Sequence, residues 1–338
     1  VLPDRGEEHL LLPVEGFPRG GSPLRRLRAL RPLARAVVRV LSFFRGLRPE
    51  VVVVTGGYAG GPAGIGAVLL RIPLLLQEQN SVPGLVTRAL SLFARRVELA
   101  FPEARSRLPL GARRKARVTG NPVRPPREID RREAREALGL PGEGRVVLVV
   151  GGSQGSAALN GLLLDAVSGV RAGRLERPPG LRVLWSTGPA HVETVRDGLD
   201  GVPPNWVRIV GYIDDMPSAL AAADLAVSRA GAIATSEFLA WGLPAVLVPL
   251  PTAAADHQAR NAGTLARAGA ALHLPQRDLA AERLWDAVTG LVTDPVRLAA
   301  MARAAADRGR PRAAEEIVRE IEGWLPPATA GGGEGAVP

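Results

Sequence analysis

Short apolar runs recur along the chain, separated by stretches in which apolar residues fall three and four positions apart. Ten runs stand out, at residues 51–54, 74–76, 97–100, 116–118, 146–150, 183–186, 207–210, 225–227, 245–248 and 271–272. They are β-branched or leucine-rich and do not alternate with polar residues, the pattern of parallel strands covered on both faces. The helical stretches between them predict βαβ units and an α/β fold. Residues 24–45 form a further helical pattern, with Leu24, Leu27, Leu30, Leu33, Val37, Leu41 and Phe44 on one side. Arg25, Arg28, Arg31, Arg35 and Arg39 line another face, and Pro32 predicts a kink or break.

A seam interrupts the pattern. Asn121-Pro122-Val123-Arg124-Pro125-Pro126 continues neither strand nor helix. A charged helix at 130–138 follows, then Pro141-Gly142-Glu143-Gly144 before a fresh strand. The expected organisation is a first α/β domain over 1–122, a linker over 123–144 and a second α/β domain over 145–310. An amphipathic helix follows at 311–325, then a Pro/Gly/Ala-rich tail at 326–338 that is expected to be disordered. Ligands of open parallel sheets bind beyond the carboxyl ends of the strands, so two such domains predict a cleft between them.

Composition narrows the chemistry. With 338 residues, 46% of them hydrophobic and 22% charged, the chain suits two globular domains. It has no cysteine, which excludes a disulfide framework and a thiolate metal site. His9, His191, His257 and His273 show no ligand spacing, so no metal ion or other cofactor is expected. The net charge of +10, with Lys115 the only lysine, favours anionic partners. Only 4% of residues are aromatic and none interleave with the basic clusters, which argues against a nucleic-acid stacking surface. The uncharged stretch 51–70 is broken by TGGYAGGPAGIG, so no transmembrane helix is expected.

Five constellations carry candidate chemistry. At 228–249 a glycine turn leads into a short helix with Ser236 and Glu237 in its first turns. The helix end suits a diphosphate and the carboxylate suits ribose hydroxyls, or Glu237 is simply exposed. Gly151-Gly152-Ser153-Gln154-Gly155-Ser156 follows a strand and precedes a helix, the context of a phosphate-cradling loop, although it is neither a P-loop nor GxGxxG. Thr55-Gly56-Gly57-Tyr58-Ala59-Gly60-Gly61-Pro62 after the first strand is either a ligand approach or a tight turn. Gln77-Glu78-Gln79-Asn80 ends a strand where the cleft should lie, with ordinary loop polarity as the alternative. In Asp256-His257-Gln258, Gln258 suits sugar hydroxyls, while Asp256 is a candidate helix N-cap. The basic amphipathic helix at 24–45 suits an anionic lipid surface or is the solvated face of a core helix.

The blocks GGYAGGPAG (56–64), EQNSVPG (78–84), GNPVR (120–124), GGSQGS (151–156), GYIDDM (211–216), SRAGAIATSE (228–237), GLPAVLVP (242–249) and DHQARNA (256–262) resemble, in collinear order, the MurG family. These are peripheral glycosyltransferases of peptidoglycan synthesis with a GT-B fold of two Rossmann-like domains facing across a cleft. The resemblance implies inverting transfer of N-acetylglucosamine from UDP-GlcNAc to the 4-hydroxyl of the muramoyl sugar of lipid I, giving lipid II. It implies uracil at Ile213, diphosphate at Ala232, Ile233, Ala234, Thr235 and Ser236, and ribose at Glu237. Ser153 falls beside the phosphate, Asn80 and Gln258 at the GlcNAc, and Arg124 at the hinge near the donor. Gly57, Tyr58 and Glu78 fall on the acceptor side of the cleft. Arg25, Arg28, Arg31 and Arg35 fall on the membrane-facing region, which places the protein peripherally on the cytoplasmic face of the bacterial membrane. The helix at 311–325 is expected to return to the first domain. Nucleic acid is not an expected partner. Family members begin with a strand and a GGTGGH-type loop whose histidine is the proposed general base. Nothing like it precedes residue 50, and the surroundings of His9, GEEHLLLP, read as the start of a strand. The expectation is therefore that a preceding segment carries the base, and no catalytic residue is assigned here. A UDP-GlcNAc 2-epimerase-like enzyme and a non-catalytic UDP-sugar-binding scaffold are the alternatives.

Overall fold

A computed structural model describes residues 9–12 and 23–325, with the side chains of 23–30 left out. All ten expected strands form, in two parallel sheets. The first contains β1 (Val52–Val54), β2 (Leu74–Glu78), β3 (Arg96–Leu99) and β4 (Ala116–Val118), side by side in chain order. The second contains β5 (Arg145–Val150), β6 (Leu181–Ser186), β7 (Val207–Val210), β8 (Leu225–Ser228), β9 (Ala245–Leu247) and β10 (Ala271–His273), in the order β10-β9-β8-β5-β6-β7. The chain builds outward from β5 in one direction and then returns to build outward from β8 in the other. The β5/β8 boundary is thus a topological switch point, where a crevice opens beyond the strand ends.

Helices α1 (Pro23–Leu47), α2 (Gly60–Leu69), α3 (Leu85–Leu90) and α4 (Leu110–Arg113) accompany the first sheet. α5 (Arg131–Ala137) follows the linker. The second sheet carries α6 (Ala157–Arg171), α7 (Val192–Asp197), α8 (Met216–Ala222), α9 (Ala232–Ala240), α10 (His257–Arg267), α11 (Ala281–Val292) and α12 (Pro295–Arg308), and α13 (Ala313–Glu322) follows them. β5 shows why its sequence does not alternate: Val147 and Val149 join one core, while Val146, Leu148 and Val150 join the core on the opposite face. β1 departs from this pattern, because it lies at a sheet edge and leaves Val53 44% exposed.

Several local expectations are corrected. α1 runs through Pro32 without a break. Residues 9–12 form no strand, and the rest of GEEHLLLP lies outside the described residues, as does the tail 326–338. The glycines of α2 serve packing. A Cβ on Gly64 would lie 2.2 Å from Leu90 Cδ1, and one on Gly66 would lie 2.7 Å from Val40 Cγ1, so their absence lets α3 and α1 pack against α2. Asp256 does not cap α10: its backbone is left-handed (φ 57°) and its side chain accepts no capping bond. Asp130 does cap α5, accepting from the N–H groups of Arg132 and Glu133.

The chain passes between the two sheets' domains twice. The linker after Asn121 is irregular as far as Asp130. On the return, Arg308 pairs with Glu103 at 2.6 Å. Gly120 (φ 98°) admits the segment between α12 and α13, since a Cβ there would lie 2.4 Å from Arg310 Cβ. Glu320 of α13 then accepts from Arg96 of β3 and Arg117 of β4 at 2.8 and 2.9 Å.

Candidate active site

The site assembles where the strand ends of both sheets converge. On the second sheet, the Ser228 hydroxyl donates to Val150 O and ties the ends of β8 and β5 together at 2.8 Å. The loop 151–156 leaves β5 here. A Cβ on Gly155 (φ 74°) would lie 1.9 Å from Thr187 O, so only glycine lets this loop press against the loop after β6. Ser153 is exposed on its rim, and Ser156 caps α6 by accepting from Leu159 N–H.

The turn after β8 leads straight into α9, whose N-cap is Gly231 with no side-chain cap. The first N–H groups of α9, from Ala232, Ile233 and Ala234, are left without intrahelical partners and carry the positive end of the helix dipole. Thr235 turns its hydroxyl back to Gly231 O. Ser236 and Glu237 lie in the second turn. Burial pushes the Glu237 carboxyl above the usual carboxylate range, and the charge of exposed Arg124 pulls it partly back. The Ile213 side chain is buried among core residues, so only its backbone is left to face a ligand.

Arg229, in the same turn, was not singled out by the sequence. It is 7% exposed, and among the described residues no carboxylate pairs with it. Its Nε and Nη2 donate to Ser156 Oγ at 3.0 and 2.7 Å, and Nη1 donates to Val248 O at 3.0 Å. Desolvation lowers its pKa. A buried guanidinium thus braces the 151–156 loop from beneath while its charge lacks a counter-ion.

On the first sheet, β1 and β2 end at a cavity of about 440 Å³ lined by Gly56, Gly57, Tyr58, Glu78 and Asn80 together with His257 and Arg260 of the second domain. Gly56 and Gly57 have φ of 81° and 71°. Glu78 lines the cavity, but its oxygens accept from Asn80 N, Asn80 Nδ2 and Gly84 N, so it shapes the loop. Gln258 Oε1 holds Leu250 N–H, which leaves its amide nitrogen as the group for a ligand. Arg31 and Arg35 are exposed on α1, whereas the side chains of Arg25 and Arg28 lie outside the described residues.

Side-chain amides join the two halves. Asn261, fully buried, accepts from Ser81 N–H at 2.9 Å and donates to Asn80 Oδ1 and Ala230 O. Asn121 donates to Ser236 Oγ, Ala232 O and Gln79 O at 2.9, 3.3 and 3.2 Å. The start of α9 and the β2 loop are therefore tied to each other across the cleft.

A glycine-containing loop at the switch point, an open helix end and a facing α/β domain give the two-domain architecture of the GT-B class. Residues 146–317 match the glycosyltransferase family 28 C-terminal domain, and residues 1–98 match the glycosyltransferase family 28 N-terminal domain. The chain belongs to glycosyltransferase family 28. It is 44% identical over 290 residues to the UDP-N-acetylglucosamine–N-acetylmuramyl-(pentapeptide) pyrophosphoryl-undecaprenol N-acetylglucosamine transferase of Salinibacter ruber, covering 86% of this chain and 75% of that protein. It is 40% identical to the same-named protein of Moorella thermoacetica, covering 95% and 86%. The crystal structure of Acinetobacter baumannii MurG superposes with a TM-score of 0.75 at 31% identity, over 95% of this chain and 87% of that one. A UDP-GlcNAc 2-epimerase from Neisseria meningitidis superposes at 0.61 over 93% and 84%, but at 14% identity it shares the fold alone. The epimerase and scaffold alternatives thus gain no support.

Proposed function

We propose that this chain transfers N-acetylglucosamine from UDP-GlcNAc to the 4-hydroxyl of the muramoyl sugar of lipid I, with inversion, giving lipid II. The observation that carries this reading is α9. Its uncapped N-terminus opens on the switch-point crevice, with a half-buried carboxylate one turn further in. In this reading the diphosphate lies on the free N–H groups of Ala232, Ile233 and Ala234, bordered by Thr235 and Ser236, and beside Ser153. Glu237 accepts from the ribose hydroxyls, and the Ile213 backbone meets the uracil. The Gln258 amide and Asn80 border the GlcNAc, with Arg124 at the hinge. Positive helix ends and backbone N–H groups stabilise the departing UDP. The acceptor occupies the cavity bordered by Gly57, Tyr58 and Glu78.

We further propose the boundaries 1–122, 123–144, 145–310 and 311–325 for the two domains, linker and returning helix. Among the described residues no helix is long and apolar enough to cross a membrane. A peripheral place on the cytoplasmic face, through the arginine face of α1 on anionic lipid, completes the proposal.

Titration calorimetry with UDP-GlcNAc tests the donor assignment. Glu237→Ala should weaken binding about 10²-fold, the worth of two hydrogen bonds to a charged acceptor. Unchanged affinity would remove Glu237 from the ribose site.

A further inference from the structure

Away from the cleft, a second cavity of about 420 Å³ opens at the opposite end of α9. Asp224, just before β8, is shared by three arginines: Arg131 at 2.7 Å, Arg135 at 2.8 Å and Arg145 at 3.0 Å. It also accepts Val146 N–H, so four donors already occupy its two oxygens. The three arginines differ. Arg135 is buried and fully committed, donating as well to Ala222 O, Gly142 O and Gly144 O. The side chains of Arg131 and Arg145 are 53% and 43% exposed and line the cavity. Three positive charges face one saturated carboxylate, and Asp224 is the only acid in the lining. The crowding is felt within the cluster: after desolvation and against the pull of Asp224, the charges of Arg131 and Arg145 lower the pKa of Arg135. The remaining wall is apolar, with Trp241, Leu243, Pro244 and Leu298.

Guanidinium groups with spare N–H donors beside an apolar wall match a particular ligand chemistry, an anion carried on an apolar body. The volume suits a small molecule. We propose that this cavity is a second binding site, taking a small organic phosphate. Its phosphoryl group sits between Arg131 and Arg145, and its apolar part lies on Trp241 and Leu298. Such a ligand bridges the linker through Ile129 and Arg131, the start of β8 and the C-terminal cap of α9, Trp241. It would therefore touch the far end of the helix whose N-terminus faces the crevice.

The test is titration calorimetry of phenyl phosphate into the full chain with UDP saturating the cleft. Wild type should bind one equivalent, and inorganic phosphate, lacking the apolar body, should bind about tenfold more weakly. Arg131→Gln combined with Arg145→Gln should weaken phenyl phosphate about tenfold or more while leaving UDP affinity unchanged. Ala302→Glu, which places a carboxylate in the cavity lining and leaves the Asp224 cluster intact, should abolish binding even where the arginine variant misfolds. The proposal is overturned by no binding to the UDP-saturated wild type, by Ala302→Glu binding as wild type does, or by equal affinity for phenyl and inorganic phosphate.

Discussion

Glu237 accepts hydrogen bonds from a ribose only while ionised, yet burial favours its neutral form. Its folded pKa is raised, so donor affinity should fall as pH drops from neutral through that value, earlier than for an ordinary glutamate. Glu237→Gln should flatten this acid limb in a pH series of UDP-GlcNAc affinities, and an unaltered limb would place the titrating group elsewhere. Arg229 gives the complementary case. Removing this buried cation relieves its desolvation but gives up its bonds to Ser156 Oγ and Val248 O, so the ligand-free protein should change little in stability. Arg229→Gln should nonetheless lose most of the thermal stabilisation that UDP confers on wild type. A fall in ligand-free melting temperature with an unchanged UDP increment would reduce Arg229 to a packing residue. The two residues were unequally legible. Both lie in the block 228–237, but the carboxylate of Glu237 suggests a ribose contact by its chemistry, whereas Arg229 reads as one more arginine until β5, β8 and β9 close around it.

Elements were far more legible than their roles. The strands follow from apolar runs buried on two faces, a purely local signal. The glycines 64 and 66 carry no such signal, because the turn reading and the helix-packing reading need the same residue type; only the neighbours Leu90 and Val40 decide between them. Pro32 does not end α1, since a local rule about proline does not count the packing of α1 against α2. Gly155→Ala should cost about 2 kcal/mol or more, from positive φ and the clash with Thr187 O, and should show as a lower urea midpoint. In β3, Glu98 is fully buried with Thr119 donating to it, and desolvation raises its pKa. A raised acid pKa contributes stability that is fully present below the unfolded value and lost as pH rises through the folded value. Glu98→Gln should therefore raise the melting temperature by about 2 °C or more at pH 8 and have little effect near pH 4. An equal shift at both pH values would show that the charge is not involved.

At the scale of the whole molecule, two sheets become one site through Asn121 and Asn261, which pair with partners up to 181 positions away. No window of sequence contains such pairs, so the amide seam was not legible, although Asn121 and Asn261 both lie inside blocks that carried the resemblance. Asn80 appeared in the sequence as a sugar contact, and in the fold it is also part of this seam. The exposed arginines of α1 were legible because they answer to helical spacing alone. Replacing Arg31, Arg35 and Arg39 by Glu should reduce sedimentation with anionic phospholipid vesicles and leave UDP-GlcNAc affinity unchanged; undiminished sedimentation would remove α1 from the membrane face.

The most direct measurement is the transfer itself. The purified chain is incubated with radiolabelled UDP-GlcNAc and lipid I in mixed micelles, and the lipid fraction is analysed. Family membership and the α9 site predict label in a lipid-linked disaccharide, with equimolar UDP released and both reduced together in Glu237→Ala. Turnover of the donor that leaves no label in the lipid, or its conversion to the 2-epimer, would contradict the proposed function.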